Sequence, residues 1–156
     1  MEPVEVKTNP PRKVSICLIT TRFGSFPPYF ECVLRSCALN PDIHWLIFSD
    51  DTTERTLPPN VVIKQTSLKE LRGLFCAKLG MEVALEKPLQ LCNLKPAFGY
   101  LFAESLANYE FWGHCDLDMI FGDIRKFLNK EIFSWTKSVR FHITVMVIFI
   151  IPTLFP

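Results

Sequence analysis

Two aspartates one residue apart, Asp116 and Asp118, follow directly on an apolar and aromatic segment that begins at Phe111. An ionised carboxylate inside a hydrophobic run is costly unless a cation or a metal compensates its charge. Two such groups, at the point where a strand leaves the core, predict a site for a hard divalent cation. Mg²⁺ or Mn²⁺ suits this chemistry, because both prefer oxygen ligands and can keep waters or take phosphate oxygens.

A plainer interpretation of the same pair is structural. Aspartate is common in turns and at helix starts, so one carboxylate can cap the following segment while the other is simply solvated. The context favours the metal site over this alternative, because the pair closes an apolar segment between Trp112 and Phe121 and does not lie in a polar loop.

The length and composition of the chain limit what it can be. Its 156 residues predict one domain with a sizeable core. A hydrophobic content of 49% with only 21% charged residues excludes intrinsic disorder. A net charge of +1 gives no electrostatic reason to expect nucleic acid as a partner.

The cysteines and the polar N-terminal residues bear on location. The six cysteines stand singly, mostly among apolar residues, and without a C-x-x-C pair a zinc site is not expected. Residues 1–13 are polar and contain proline, unlike a secretory signal. We expect a cytoplasmic chain whose thiols are reduced and buried. The chain itself could also lie at the inner face of the membrane as a peripheral protein.

Hydrophobic periodicity predicts alternating strands and helices before the aspartate pair. A buried strand at 14–20, an amphipathic helix with Phe30, Val33, Leu34 and Cys37 on one face, and a strand at 43–48 form a βαβ unit. The prediction continues with a third strand at 61–65 and a helix that starts at a Ser67–Glu70 capping box. A poorly defined loop at 81–94, a helix opened by Lys95-Pro96 and a short helix at 123–128 follow.

An open parallel sheet binds ligands at the carboxyl ends of its strands. Three loops should therefore share one edge, namely residues 20–24, 49–51 and 116–118. Arg22 can meet a phosphate there, Asp50 or Asp51 can accept a hydrogen bond from a ribose or base, and the later pair can hold a metal on a diphosphate. Each residue also has an ordinary explanation as a solvated loop cation or a turn residue, but their convergence favours a nucleotide site.

Two longer motifs resemble a known family. Residues 91–99 read Leu-Cys-Asn-Leu-Lys-Pro-Ala-Phe-Gly, and residues 111–125 read Phe-Trp-Gly-His-Cys-Asp-Leu-Asp-Met-Ile-Phe-Gly-Asp-Ile-Arg. Both resemble bacterial, glycosyltransferase-like proteins of the GT-A fold, many of them catalogued only as a domain of unknown function near capsule and surface-polysaccharide loci. The resemblance covers about residues 13–133, and its second motif is far more specific than a bare D-x-D.

The resemblance implies an α/β fold, GT-A-like or Rossmann-like, with a mostly parallel sheet and flanking helices. It also implies a transferase that takes a sugar from a nucleotide sugar, most often a UDP-sugar, and passes it to a glycan or lipid-linked acceptor in surface polysaccharide synthesis. The implied roles are metal coordination by Asp118 and contact of Asp116 with the ribose or the sugar, or with the metal through water. The resemblance also implies that Thr20, Thr21 and Arg22 border the nucleotide, that Asp50 and Asp51 lie near the base and ribose, and that Lys95 lies near the diphosphate.

The end of the chain departs from this pattern. The resembling enzymes continue for roughly a hundred residues or more beyond D-x-D, and a domain of that completed size is ordinary. Residues 138–156 are instead mostly apolar, with an uninterrupted run only at 145–151, short of the ~20 residues that cross a bilayer. We expect residues 1–137 to be an incomplete GT-A nucleotide-sugar-binding domain. The tail is best explained as the aberrant end of a truncated or frame-shifted product, and an added buried strand is the second explanation. His142 is not expected to bind metal, because a lone histidine in an apolar run is usually not a ligand.

Two other functions stay open at this point. A phosphohydrolase of the haloacid dehalogenase type also has a hydrophobic run followed by D-x-D, but there the motif ends the first strand, whereas three predicted strands precede Asp116 here. A non-catalytic, truncated remnant that binds a nucleotide sugar is the second alternative, because the apolar tail is consistent with a missing half of the core.

Overall fold

The computed structural model describes residues 14–128, 143–145 and 148–152. Six strands form one sheet in the order β3-β2-β1-β4-β6-β5. The first four are parallel, whereas β6 is antiparallel to β4 and β5 is antiparallel to β6. The predicted α/β, Rossmann-like architecture with a mostly parallel sheet is confirmed. The strands are β1 (Ile16–Arg22), β2 (Ile43–Ser49), β3 (Val61–Gln65), β4 (Phe111–His114), β5 (Ile143–Val145) and β6 (Ile148–Pro152).

Strand β1 lies at the centre of the parallel part and is buried on both faces. Ile16 and Leu18 enter one core cluster, and Cys17 and Ile19 enter the other. Consecutive side chains of a strand point to opposite faces, so a continuous apolar run such as Ile-Cys-Leu-Ile needs a cover on each side. The helices of the chain supply that cover.

The two faces of the sheet carry different helices. On one face lie α1 (Phe30–Ala38) and α5 (Ile124–Phe127). On the other lie α2 (Leu68–Leu79), α3 (Phe98–Leu101), α4 (Ala103–Leu106) and a 3₁₀ segment (Pro88–Ala97). The predicted stripe of α1 is confirmed, because Phe30, Val33, Leu34 and Cys37 are all buried. The predicted capping box at Ser67 and Glu70 is also present.

Three elements differ from the prediction. Strand β1 continues through Arg22, so Thr21 and Arg22 belong to the strand and not to the loop predicted after residue 20. Residues 81–94 were predicted as loop, but the second half of that region is 3₁₀ helix. The single helix predicted after Pro96 is two short helices, because Phe102 leaves helical geometry (φ −112°, ψ 23°). Its ring stacks on Phe48 with 4.2 Å between centroids, so core packing sets the backbone there.

The apolar C-terminal segment contributes strands to the sheet. Backbone pairing joins Phe111–His114 of β4 to residues of β6, and β6 continues to β5. Both strands lie within the segment predicted as a tail. The predicted boundary after residue 137 and the side chain of His142 lie outside the described residues. Among the described helices, none combines the length and the hydropathy that crossing a bilayer requires.

The cysteines are buried only in part. Cys17, Cys37 and Cys115 are buried, and burial raises the pKa of each of these thiols, so they are unreactive packing groups. Cys32 and Cys92 are exposed, against the expectation that the thiols are buried. All six cysteines are free.

Gly99 fixes how closely α3 approaches the sheet. A Cβ atom at this position would lie 2.5 Å from two carbon atoms of the Trp112 indole on β4. Both Gly99 and Trp112 are buried, so neither can move into solvent. The glycine of the Lys-Pro-Ala-Phe-Gly motif is therefore a packing requirement, which lets α3 and the end of the 3₁₀ segment lie against β4.

We predict that Gly99→Ala lowers the free energy of unfolding by about 1–3 kcal/mol, the usual cost of overpacking a core. The matched control is Gly73→Ala on the exposed side of α2, where nothing lies within 4 Å of the added methyl group. That control should raise stability by roughly 0.5–1 kcal/mol through helix propensity. Urea unfolding of both variants measures the difference, and stabilisation of equal size in both would contradict the packing argument.

Candidate functional site

The strand order reverses between β1 and β4. From β1 the chain proceeds outward through β2 to β3, then returns to form β4 on the opposite side of β1. At such a point the loops that leave the carboxyl ends of the two neighbouring strands diverge, and a crevice opens between them. The structure has a cleft of about 240 Å³ there. Its lining residues are Thr20, Thr21, Arg22, Pro27, Tyr29, Asp116, Leu117 and Asp118.

The two aspartates of the D-x-D pair both face this cleft. Leu117 between them is buried in the core cluster beneath α1, which leaves Asp116 and Asp118 exposed on the outer side. No residue that the structure describes pairs with the Asp118 carboxylate or donates to it. The Asp116 carboxylate, in contrast, accepts from Lys95, with 2.6 Å between Nζ and Oδ1.

Buried amides hold the chain that follows the pair. The side chain of Asn40, at the end of α1, donates to the Gly122 carbonyl at 2.8 Å and accepts from the Ile124 N–H at 2.9 Å. Asn60 in turn donates to three backbone carbonyls, including that of Asn40. Asp123 caps α5 by accepting from the Lys126 N–H. Together with buried Leu117, these contacts fix the chain between and after the two aspartates.

Lys95 does not line the cleft, but it reaches Asp116 from the opposite face of the sheet. It lies near the end of the 3₁₀ segment, three residues before α3, and that helix packs on Trp112 through Gly99. Its side chain is 18% exposed, against 51% for Asp116. The lysine stem is thus well covered, while the carboxylate that it meets remains open to solvent.

Arg22 lies at the end of β1 and is exposed. Its guanidinium donates from Nε and Nη2 to the Ser25 carbonyl, at 3.3 and 2.8 Å. This contact holds the cation at the corner of the loop that leaves β1. Arg22 therefore retains donors for a ligand in the cleft, since a guanidinium carries five N–H groups.

Asp50 and Asp51 follow β2 at the same edge but do not line the cleft. Asp50 accepts from the Gly24 N–H at 2.7 Å, and Gly24 has a positive φ of 80°. Asp51 accepts from the N–H groups of Phe26 and Thr53 and pairs with Arg55 at 2.9 Å. The two aspartates therefore shape the loop after β1, and for Asp51 this structural work occupies both carboxylate oxygens.

These contacts also set the ionisation of Asp51. Hydrogen bonds from the Thr53 hydroxyl and backbone N–H, then from the Phe26 N–H, with the charge of Arg55 added, hold the pKa of the Asp51 carboxyl well below its usual range. Arg55 is itself held in place over the Phe26 ring, 4.8 Å from its centroid. The ionised form of Asp51 is the form that stabilises the fold.

The donor set at the cleft fits a hard cation only in part. Asp118 and the second oxygen of Asp116 are available carboxylate ligands. Within the described ranges, no group of three or more histidine, cysteine, aspartate or glutamate residues surrounds one point. Mg²⁺ and Mn²⁺ accept such a site, because they bind through one or two carboxylates and complete their shell with waters and substrate phosphates. The residues present therefore suit a metal that a phosphorylated ligand helps to hold.

Sequence reasoning missed Pro27 and Tyr29, which border the cleft at the start of α1. Tyr29 is 49% exposed, although it directly precedes the buried Phe30. The available signal was an aromatic residue directly after Pro27-Pro28, at the predicted edge. An exposed ring of this kind offers a flat surface for stacking.

We predict that Asp51→Asn lowers the free energy of unfolding at neutral pH. The difference in this free energy between the variant and the wild type should become smaller as the pH falls. Because the folded-state pKa is depressed, the stabilising contribution is complete above the unfolded-state pKa of about 3.9 and is lost as the pH falls toward the folded-state value. Urea unfolding between pH 7 and pH 3 measures the gap. Glu31→Gln on the exposed side of α1 corrects for loss of a surface charge, and a gap that does not change with pH would contradict the assignment.

Comparison with known proteins places the chain in a family without giving it an activity. The search of curated proteins finds no match to this chain. Residues 18–147 match the model of one family, and this match spans most of the sequence, including both motifs and the cleft residues at the ends of β1 and β4. The chain therefore belongs to that family, which is described as a family of unknown function, DUF6625.

Proposed function

We propose that the chain is a metal-dependent glycosyltransferase, or the donor-binding half of one, which takes its sugar from a nucleotide sugar. The observation that carries this proposal is the meeting of Thr20, Thr21 and Arg22 from β1 with Asp116 and Asp118 after β4 in one cleft. That cleft lies at the switch point of a parallel sheet, where nucleotides bind in folds of this class.

The charges of the cleft suit a diphosphate leaving group. When the glycosidic bond to a nucleoside diphosphate breaks, negative charge grows on the phosphate oxygens, and a bound Mn²⁺ or Mg²⁺ stabilises that charge. Asp118, which has no competing partner among the described residues, is the principal metal ligand in this proposal, with Asp116 beside it. Lys95 and Arg22 supply the cations that this chain itself brings to the phosphates.

The nucleoside would lie toward the start of α1. Tyr29 offers an exposed ring on which a base can stack, and base stacking on an aromatic side chain contributes about 1–3 kcal/mol. The cleft of about 240 Å³ is smaller than the roughly 300–1,000 Å³ of ordinary ligand pockets, so it suits the diphosphate and its neighbouring groups better than a whole donor and acceptor. We expect the acceptor to be a glycan or a lipid-linked sugar.

Titration of the purified chain with a panel of UDP-sugars, with and without Mn²⁺, tests the proposal. Intrinsic fluorescence is a suitable signal, because Trp112 lies on the strand that leads to the D-x-D loop. We expect binding that is at least tenfold tighter with Mn²⁺, in the usual range of coupling between ligands. Absence of any metal-dependent binding across UDP-, GDP- and ADP-sugars would contradict the proposal.

The variant Asp118→Asn tests whether Asp118 binds a metal or instead stabilises the fold. The substitution keeps the size of the side chain and removes its charge, so we expect metal-dependent binding of the nucleotide sugar to weaken by tenfold or more. The melting temperature should change little, because exposed sites without partners affect stability by within about 0.5 kcal/mol. Glu54→Gln, which removes an exposed carboxylate without a partner among the described residues, is the matched control. Loss of folding in Asp118→Asn with normal folding in this control would show that Asp118 is structural.

One observation favours the alternative phosphohydrolase. A lysine beside the first aspartate of D-x-D, as in the Lys95–Asp116 pair, suits an aspartate nucleophile that attacks a phosphoryl group. The position of the pair after the fourth strand speaks against this class, whose motif ends the first strand. Release of phosphate from p-nitrophenyl phosphate with Mg²⁺, abolished by Asp116→Asn, would favour the phosphohydrolase, and no release with normal UDP-sugar binding would exclude it.

A further inference from the structure

We propose that Lys95 is a resident counter-cation of the metal site, which a bound diphosphate draws away from Asp116. The inference rests on the proposed function and concerns its regulation. Lys95 takes one oxygen of Asp116, and Asp118 is left without a partner among the described residues. One of the two carboxylates available to a metal is thus already neutralised by the protein.

The two partners of this ion pair differ in solvent exposure, so that a ligand can reach the contact only from the side of Asp116. The side chain of Lys95 is 18% exposed and belongs to the 3₁₀ segment, while the side chain of Asp116 is 51% exposed and opens onto the cleft. A metal that approaches Asp116 from the cleft therefore meets the lysine charge at 2.6 Å from the carboxylate oxygen. The metal and the lysine would then share one carboxylate, whose single negative charge offsets only part of the repulsion between the two cations.

A diphosphate removes this conflict. Its oxygens can accept from Lys95 and coordinate the metal at the same time, so Lys95 gains a new acceptor at the moment when Asp116 is needed as a ligand. Without metal, the diphosphate would face the negative charges of Asp116 and Asp118. Each ligand is thus disfavoured alone and favoured by the other, which is positive coupling and must be reciprocal.

The arrangement predicts an effect that simple coordination of metal by phosphate does not. If Lys95 competes for Asp116, then Lys95→Met should raise the affinity for Mn²⁺ alone by about tenfold while weakening the binding of UDP alone. The coupling between Mn²⁺ and UDP should fall by a similar factor, since its size in related systems is about 5- to 150-fold. Coordination by phosphate alone would leave the affinity for free Mn²⁺ unchanged in this variant.

Isothermal titration calorimetry on the full chain measures these quantities. Mn²⁺ is titrated with and without saturating UDP, and UDP with and without Mn²⁺, for the wild type and Lys95→Met. Inorganic pyrophosphate repeats the measurement independently of the base. Arg22→Met removes a cation from the same cleft that does not pair with Asp116, and Lys78→Met removes the lysine of a remote pair with Glu104, whose side-chain exposures of 16% and 78% resemble those of the Lys95 pair.

The expected result is a rise in affinity for Mn²⁺ alone in Lys95→Met that clearly exceeds the rise in Arg22→Met, with no change in Lys78→Met. Equal rises in the first two variants, or none in Lys95→Met, would overturn the inference. The reciprocal variant, Asp116→Asn, tests it independently of how Lys95→Met folds. It frees Lys95, so UDP without metal should bind several-fold tighter than to the wild type, and unchanged or weaker binding would again overturn the inference.

The wild-type titrations distinguish this inference from the proposed function. If the wild type binds UDP with Mn²⁺ but Lys95→Met leaves the affinity for Mn²⁺ alone unaltered, the counter-cation role is wrong and the nucleotide site stands. If the wild type binds neither UDP nor pyrophosphate under any condition, the proposed function fails and the inference fails with it.

Discussion

The burial of β1 on both faces is the constraint on which the rest of the structure depends. Its run from Ile16 to Ile19 is apolar at every position, so the strand cannot lie at an edge or beneath a single layer. It pairs in parallel with β2 on one side and β4 on the other, and the chain must therefore cross the sheet in both directions. The reversal of strand order, and with it the cleft, is a direct consequence of placing this strand at the centre.

Much of this could be read from the sequence, because the signals are local. The boundaries of β3, the capping box of α2 and the apolar stripe of α1 follow from residue types a few positions apart. The edge on which 20–24, 49–51 and 116–118 meet follows from parallel pairing alone. The break at Phe102 could not be predicted, since it depends on a ring from β2, more than fifty residues earlier in the chain. The 3₁₀ segment could not be predicted either, because its apolar residues follow neither the period of an α-helix nor that of a β-strand.

The site itself was predictable in its members and less so in their roles. Thr20, Thr21, Arg22, Asp116 and Asp118 do share the cleft. Asp51 has the residue type of a ligand, yet its carboxylate holds the loop that leaves β1, and only the positions of Phe26, Thr53 and Arg55 reveal this. Asn40 presents the opposite case. A lone amide at the end of a helix gives no sequence signal, although it fixes the chain after the D-x-D pair across 82 positions.

The energetics of the contacts separate the residues that build the site from those free to change partners. Asn40 satisfies buried backbone groups that would otherwise be left unpaired, and breaking such contacts costs about 1–3 kcal/mol per group. Asp51 likewise accepts from the backbone N–H groups of Phe26 and Thr53 and so holds the loop after β1. The Lys95–Asp116 pair is different, because its carboxylate is half-exposed and solvent screens the attraction between the two charges. The fold therefore loses little when this pair opens. A contact that opens at little cost in free energy beside a cleft can be replaced by a contact with a ligand. The hydrogen bonds of Asp51 and Asn40 instead stabilise the loops around the cleft.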